Sequence, residues 1–177
     1  MRTALVSSAV VLLSACSLGS SDDAVPPVRT TLVVTDRTAY DARLDADGRT
    51  SVVFDVPFEI HNTTGAPLYR VGCRRPPKPV LEKRAGNEWV VAYGGVEFAC
   101  LSPPFVLEAG EVGRDTLRVV GYLPGQRVVP EFALEVDGTY RLRVELFSSV
   151  TDEDFPLGRD LVSLEERTSN TFEVRLE

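Results

Sequence analysis

The chain predicts an all-β fold, a single antiparallel β-sandwich of about nine short strands. Three observations carry this: apolar residues recur with period two, turn residues interrupt them at short intervals, and no segment sustains a helical period. Val52, Phe54, Val56, Phe58 and Ile60 stand in step, with Asp55 and Glu59 between them. Successive strand side chains point to opposite faces, so this pattern makes one face apolar and the other polar.

The domain begins at Arg29, where Thr30, Leu32 and Val34 alternate with Thr31, Val33 and Thr35. After the clear strand Val52 to Ile60 come shorter runs at Leu68 to Cys73, Val80 to Arg84, Trp89 to Tyr93, Phe105 to Glu108 and Thr116 to Val120. Tyr140, Leu142, Val144 and Leu146 alternate with Arg141, Arg143 and Glu145; Phe172, Val174 and Leu176 close the chain. Gly86-Asn87 sits between two runs at the spacing of a two-residue hairpin. Asp47-Gly48, Thr64-Gly65, Ala109-Gly110 and Asp137-Gly138 mark other reversals. Leu161 to Arg167 is the best helix candidate and is short. The alternation also ranks substitutions. Aspartate at Phe54 is expected to prevent folding, and aspartate at Arg141, on the polar face, to cost little.

Residues 1–15 have the parts of an export signal: Arg2, an apolar run of ten residues from Ala4 to Leu13, then the small Ser14-Ala15. Ten residues are too few to cross a bilayer as a helix, which needs about 20. Leu13-Ser14-Ala15-Cys16 resembles the lipobox of bacterial lipoproteins. That resemblance implies a diacylglycerol on the Cys16 thiol and cleavage just before it. Residues 16–28 then read as the lipidated cysteine and a flexible Ser/Gly/Asp tether, stiffened by Pro26-Pro27. The domain occupies 29–177. Assigning Cys16 to the lipid leaves Cys73 and Cys100 as an even pair in an oxidising compartment, where a structural disulfide is expected. Ser17 after the cysteine resembles the sorting signal for the outer membrane of a Gram-negative envelope.

Arg2 is the only charged residue in 1–15, so the remaining chain has 18 basic and 26 acidic residues, a net of −8. A phosphate backbone is repelled by that balance, which argues against nucleic acid as a partner. The membrane contact expected is the lipid itself.

Catalytic chemistry finds little to use. His61 is the only histidine, and no nucleophile elbow, phosphate loop, dinucleotide fingerprint or zinc motif accompanies it. Asp45-Ala46-Asp47-Gly48 fails calcium-loop spacing, since the first ligand falls on Arg43 and the closing one on Phe54. Asp152-Glu153-Asp154 reads as a solvated loop. The chain is therefore not expected to be an enzyme, and no cofactor or metal is expected.

One constellation is less ordinary. Arg70, Arg74, Arg75, Lys78, Lys83 and Arg84 fall within fifteen positions against the single acid Glu82. Pro76, Pro77 and Pro79 follow Cys73, and Pro103 and Pro104 follow Cys100. Proline fixes φ and removes a donor, so these segments are stiff. Arg70, Arg74, Arg75 and Lys78 are the candidate binding patch for an anionic envelope component or an acidic protein face.

The segments FEIHNTTG (58–65), GNEWVV (86–91), LEAGE (107–111) and DGTYRLRVEL (137–146) resemble pieces of immunoglobulin-like sandwich domains. They are most similar to the bacterial intracellular proteinase inhibitor family, over roughly residues 50–147. The resemblance implies an immunoglobulin-like sandwich, and protease inhibition as one activity. The expectation is a membrane-anchored envelope lipoprotein that acts as a binding or structural module, with a protease inhibitor or enzyme accessory domain as the alternative.

Overall fold

The structure is a computed structural model and describes residues 31–45, 51–73, 75–94, 102–151 and 157–177. The expected signal, the tether, Cys16, Arg74, Cys100, the Asp47-Gly48 turn and the Asp152-Glu153-Asp154 loop lie outside the described residues.

Among the described residues the chain is all β, with no helix. The strands are β1 (Val33–Thr35), β2 (Ala39–Asp45), β3 (Ser51–His61), β4 (Leu68–Arg70), β5 (Val80–Ala85) and β6 (Glu88–Tyr93). Then follow β7 (Phe105–Leu107), β8 (Val112–Tyr122), β9 (Gly138–Arg143), β10 (Phe147–Val150), β11 (Gly158–Leu161) and β12 (Phe172–Leu176). Twelve strands stand among the described residues where about nine were expected. Three are additional: β2 reads AYDARLD, with Tyr40 and Ala42 buried on one face, while the short β10 and β11 read FSSV and GRDL, with no apolar alternation to announce them. Leu161 to Arg167 forms the end of β11 and a turn, not a helix.

The longest ladder is antiparallel, with Ser51 to His61 of β3 opposite Tyr122 to Val112 of β8. Along the other edge of β3, β1 pairs at Phe58–Ile60 and β2 at Ser51–Val53. β2 also runs parallel to β12 over Ala39–Ala42, and β12, β9, β5 and β6 continue side by side, antiparallel. β2 thus joins the two halves of the larger sheet. The smaller sheet has the order β11–β10–β4–β7 and is antiparallel.

The alternation places the core. Val52, Phe54, Val56, Phe58 and Ile60 are all buried, as are Tyr140, Leu142, Val144 and Leu146, while Asp55 is exposed. Burying each such side chain contributes about 1.5–3 kcal/mol. Phe172 packs edge-on against Tyr40 at 5.1 Å and stacks near Tyr140 at 6.3 Å. Both phenols find partners, the Tyr40 hydroxyl donating to Asp36 at 2.6 Å and the Tyr140 hydroxyl to the Val136 carbonyl at 2.5 Å. Burial, and then the Asp36 bond, pushes the Tyr40 pKa up to about 12.

The Gly86-Asn87 hairpin forms as its spacing requires: Ala85 faces Glu88, and Gly86 takes the left-handed φ of 61°. Asn62, by contrast, is wholly buried and shapes its turn. Its side-chain amide donates to the Ala66 and Leu107 carbonyls, each at 2.8 Å, and its oxygen accepts from the Thr64 hydroxyl at 2.7 Å.

One expectation about the polar face is overturned. Arg141 is not a solvated outward residue. Its side chain is only 19% exposed and is bonded at 2.8 Å to Glu82, a carboxylate the fold has buried.

Candidate functional site

The basic, proline-flanked segment runs from the end of β4 to the start of β5. Arg70 is the last residue of β4 and shares a face with Leu68, two positions back, which is core. Period two therefore sends its side chain inward, where it is 9% exposed. The guanidinium donates to the Pro77 carbonyl, reaches Asp115 at 3.4 Å and lies 6.0 Å from the Phe58 ring centre. Arg70 is thus removed from the expected surface patch. It is a strut that ties the following loop to the sheet interior.

Arg75 and Lys78 are exposed, as the patch requires, whereas Pro77 and Pro79 are buried beneath them. Gly72 makes the tight path possible: a Cβ there would stand 2.8 Å from the Arg75 carbonyl and 2.9 Å from Pro77 Cδ. The loop is held by Arg70 from below, by buried prolines along its length and by a close backbone approach at Gly72. Cys73 is half-buried within it. The structure brings Arg75 and Lys78 together on this segment and takes Arg70 away.

A cleft of about 370 Å³ opens beside Arg70, lined among others by Leu68, Pro76, Phe105, Gly113 and Asp115. It exists because the inward row of β8 runs Val119, Leu117, Asp115, Gly113 opposite Phe54, Val56, Phe58 and Ile60. The last two positions of that row supply no apolar bulk.

His61 closes β3. Its Nε2 is 2.8 Å from Glu59, and Arg114 donates to the other Glu59 oxygen at 2.8 Å. The Arg114 bond is the main reason that the Glu59 carboxyl is held below the usual carboxylate range. His61 borders a shallow pocket of about 290 Å³ with Asn62, Thr63, Gly110 and Glu111. Asn62 spends its side chain on the turn, so the arrangement is an ion-paired strand end. Among the described residues, no group of three His, Cys, Asp or Glu side chains could hold a metal ion.

Sequence reasoning missed a polar cluster on the outer face of β5 and β9. Glu82, 6% exposed, accepts from Arg141 at 2.8 Å and from Arg143 at 2.6 Å, and Arg141 lies 4.4 Å over the Trp89 ring. The signal was the run Leu81-Glu82, in which both neighbours are buried. A register shift between them breaks strict alternation.

Comparison with protein families, with curated proteins and with solved structures found no match to this chain.

Proposed function

We propose that the chain is a lipid-anchored envelope protein whose immunoglobulin-like sandwich is a binding module. In this reading Cys16 carries the lipid, a Cys73–Cys100 disulfide secures the domain, and the stiff segment bearing Arg74, Arg75 and Lys78 meets an anionic envelope component or an acidic protein face. The strand order β12–β9–β5–β6, with β1 against β3 and β2 running parallel to β12, supports the immunoglobulin-like assignment.

The observation that carries the binding role is the preorganisation of this segment. Arg75 and Lys78 stand in solvent on a backbone already fixed by Arg70, Pro77 and Gly72, so little ordering entropy is lost on docking. A lipid tether adds to this by confining the domain near a surface, which raises the effective concentration of partners there. Lipid-anchored sandwich domains host many activities, and the fold does not choose among them.

Crosslinking in the native envelope tests the reading. Wild type and an Arg74→Ser/Arg75→Ser/Lys78→Ser protein are compared at low and moderate salt, across which exposed charges are increasingly screened. Loss of a salt-sensitive partner in the triple variant is expected, and identical partner profiles reject the role. Capture of a single protease would favour the inhibitor alternative. For the anchor, Cys16→Ser should abolish incorporation of labelled fatty acid, because serine has no thiol to alkylate.

A further inference from the structure

We infer that the outer face of β5, β6 and β9 docks an extended acidic segment of a protein partner. The segment's carboxylates would meet Arg84, Arg143 and Arg167, and its apolar side chains Trp89 and Val91. Cross-strand register sets Trp89 opposite Arg84, Val91 opposite Glu82 and Glu82 opposite Arg141. These side chains therefore share one face. An apolar column on β6 lies beside a cationic one on β5 and β9.

The charges on this face are unequal. Glu82 is engaged by two guanidiniums, Arg141 and Arg143. Arg143 reaches it through Nε, which leaves its Nη groups to a second acceptor. Arg84 is exposed and, among the described residues, donates only to the Gly86 carbonyl, at 3.2 Å. Arg167 lies within electrostatic range of Arg143, Glu82 and the exposed Glu145, and its buried Nε has no hydrogen-bond partner among the described residues. Burial first, and then repulsion from Arg143, lowers the Arg167 pKa, against the opposing pull of Glu145 and Glu82. Arg84, Arg141, Arg143 and Arg167 stand here against Glu82 and Glu145. Positive charge is thus in surplus here on a chain of net charge −7.

The cations are also ordered in advance. Arg143 is held by its bond to Glu82 and the Trp89 ring by Arg141 across its face, and a partner that finds side chains already placed loses less entropy on binding. The apolar column selects the class of partner. Val91 is 46% exposed beside the half-buried Trp89. An extended peptide with alternating acidic and apolar residues covers both columns. A polyphosphate leaves the apolar column bare. This face is distinct from the segment between β4 and β5, and the inference stands without the lipid.

The test is fluorescence anisotropy of the purified full chain with a labelled peptide of alternating glutamate and phenylalanine. The same peptide with glutamine for glutamate, and unlabelled polyphosphate as competitor, complete the probes. Binding to the glutamate peptide is expected, weaker at ~0.3 M than at ~0.05 M salt, with the glutamine peptide at least about tenfold weaker. Arg143→Gln/Arg167→Gln should weaken binding about tenfold or more. Arg84→Glu reverses an exposed charge without touching the Glu82 bonds, and should weaken binding while the unfolding transition is unchanged. Unchanged affinity in a folded Arg84→Glu protein overturns the inference. So does tighter binding of polyphosphate than of peptide, or a loss confined to Arg75→Ser/Lys78→Ser, which would move recognition to the other segment.

Discussion

Two arginine–acid neighbours lie across strand pairs in this molecule, alike in geometry and different in fate. Arg118 of β8 stands opposite Asp55 of β3, and Arg141 of β9 stands opposite Glu82 of β5. Each pair is antiparallel, and each faces away from the main core. Yet Arg118 and Asp55 are exposed and, among the described residues, form no ion pair, whereas Glu82 is 6% exposed and holds Arg141 at 2.8 Å. The difference comes from what lies alongside. Trp89 packs against Arg141 from β6, and Arg143 brings a second guanidinium to the same carboxylate. Asp55 and Arg118 instead line an open cleft of about 760 Å³ with Arg37 and Arg43, and among the described residues no side chain packs over them there. Facing outward from a sheet is therefore not the same as facing water.

The largest expected effect sets the scale for that comparison. Phe54, one residue before Asp55, lies on the core face, so Phe54→Asp places an unpaired carboxylate in the interior. We expect a loss of about 3–5 kcal/mol or outright failure to fold, read by urea denaturation. A mild loss would mean that the in-and-out assignment of β3 is wrong.

Arg141→Asp should come next, at about 2–4 kcal/mol, because it breaks a buried pair and sets two carboxylates together. Thermal unfolding of this variant beside Arg118→Asp makes the contrast direct. If the two lose the same stability, burial of Glu82 has no energetic consequence and the comparison fails.

Between these and the smallest effect lies a titration that touches neither pair. Tyr40 is on β2, the strand that joins the two halves of the sheet, and Tyr40→Phe should cost about 1 kcal/mol at neutral pH through loss of the Asp36 bond. Its pKa rises on folding from 10.0 to about 12, chiefly by burial. A group raised in this way stabilises fully below its unfolded pKa and loses that contribution as pH climbs through the folded value. Wild type should therefore weaken between those two values, and Tyr40→Phe should weaken less across the same window. Tyr140, also raised by burial, accounts for alkaline loss that remains in the variant.

Smallest is Arg118→Asp, expected below about 1 kcal/mol, the cost of an exposed like-charge pair across two strands. A larger loss in the same unfolding assay would reveal a hidden partner for Arg118.

Much of the fold is legible in the sequence. The five-residue alternation in β3 and the four-residue one from Tyr140 to Leu146 predicted buried faces that are buried, and Gly86-Asn87 predicted its hairpin. β10 and β11 were not legible, because FSSV and GRDL pair through backbone groups that every sequence possesses. The candidate patch was half legible. Exposed Arg75 and Lys78 were chosen by charge clustering, and the same clustering wrongly included Arg70.

Read as a string of residues, the chain already carries its class and its periodicity, because alternation is a local property of strand geometry and needs no knowledge of neighbours. The string also holds the charge balance, the cysteine count and the export-like N-terminus. Only the tertiary structure decided which polar residues meet. Arg70 and Asp115 lie 45 positions apart, and Arg141 and Glu82 lie 59 apart. Such contacts depend on strand order, register and a local shift between Leu81 and Glu82. Their burial reflects side chains from other strands excluding water, and no residue type encodes that by itself.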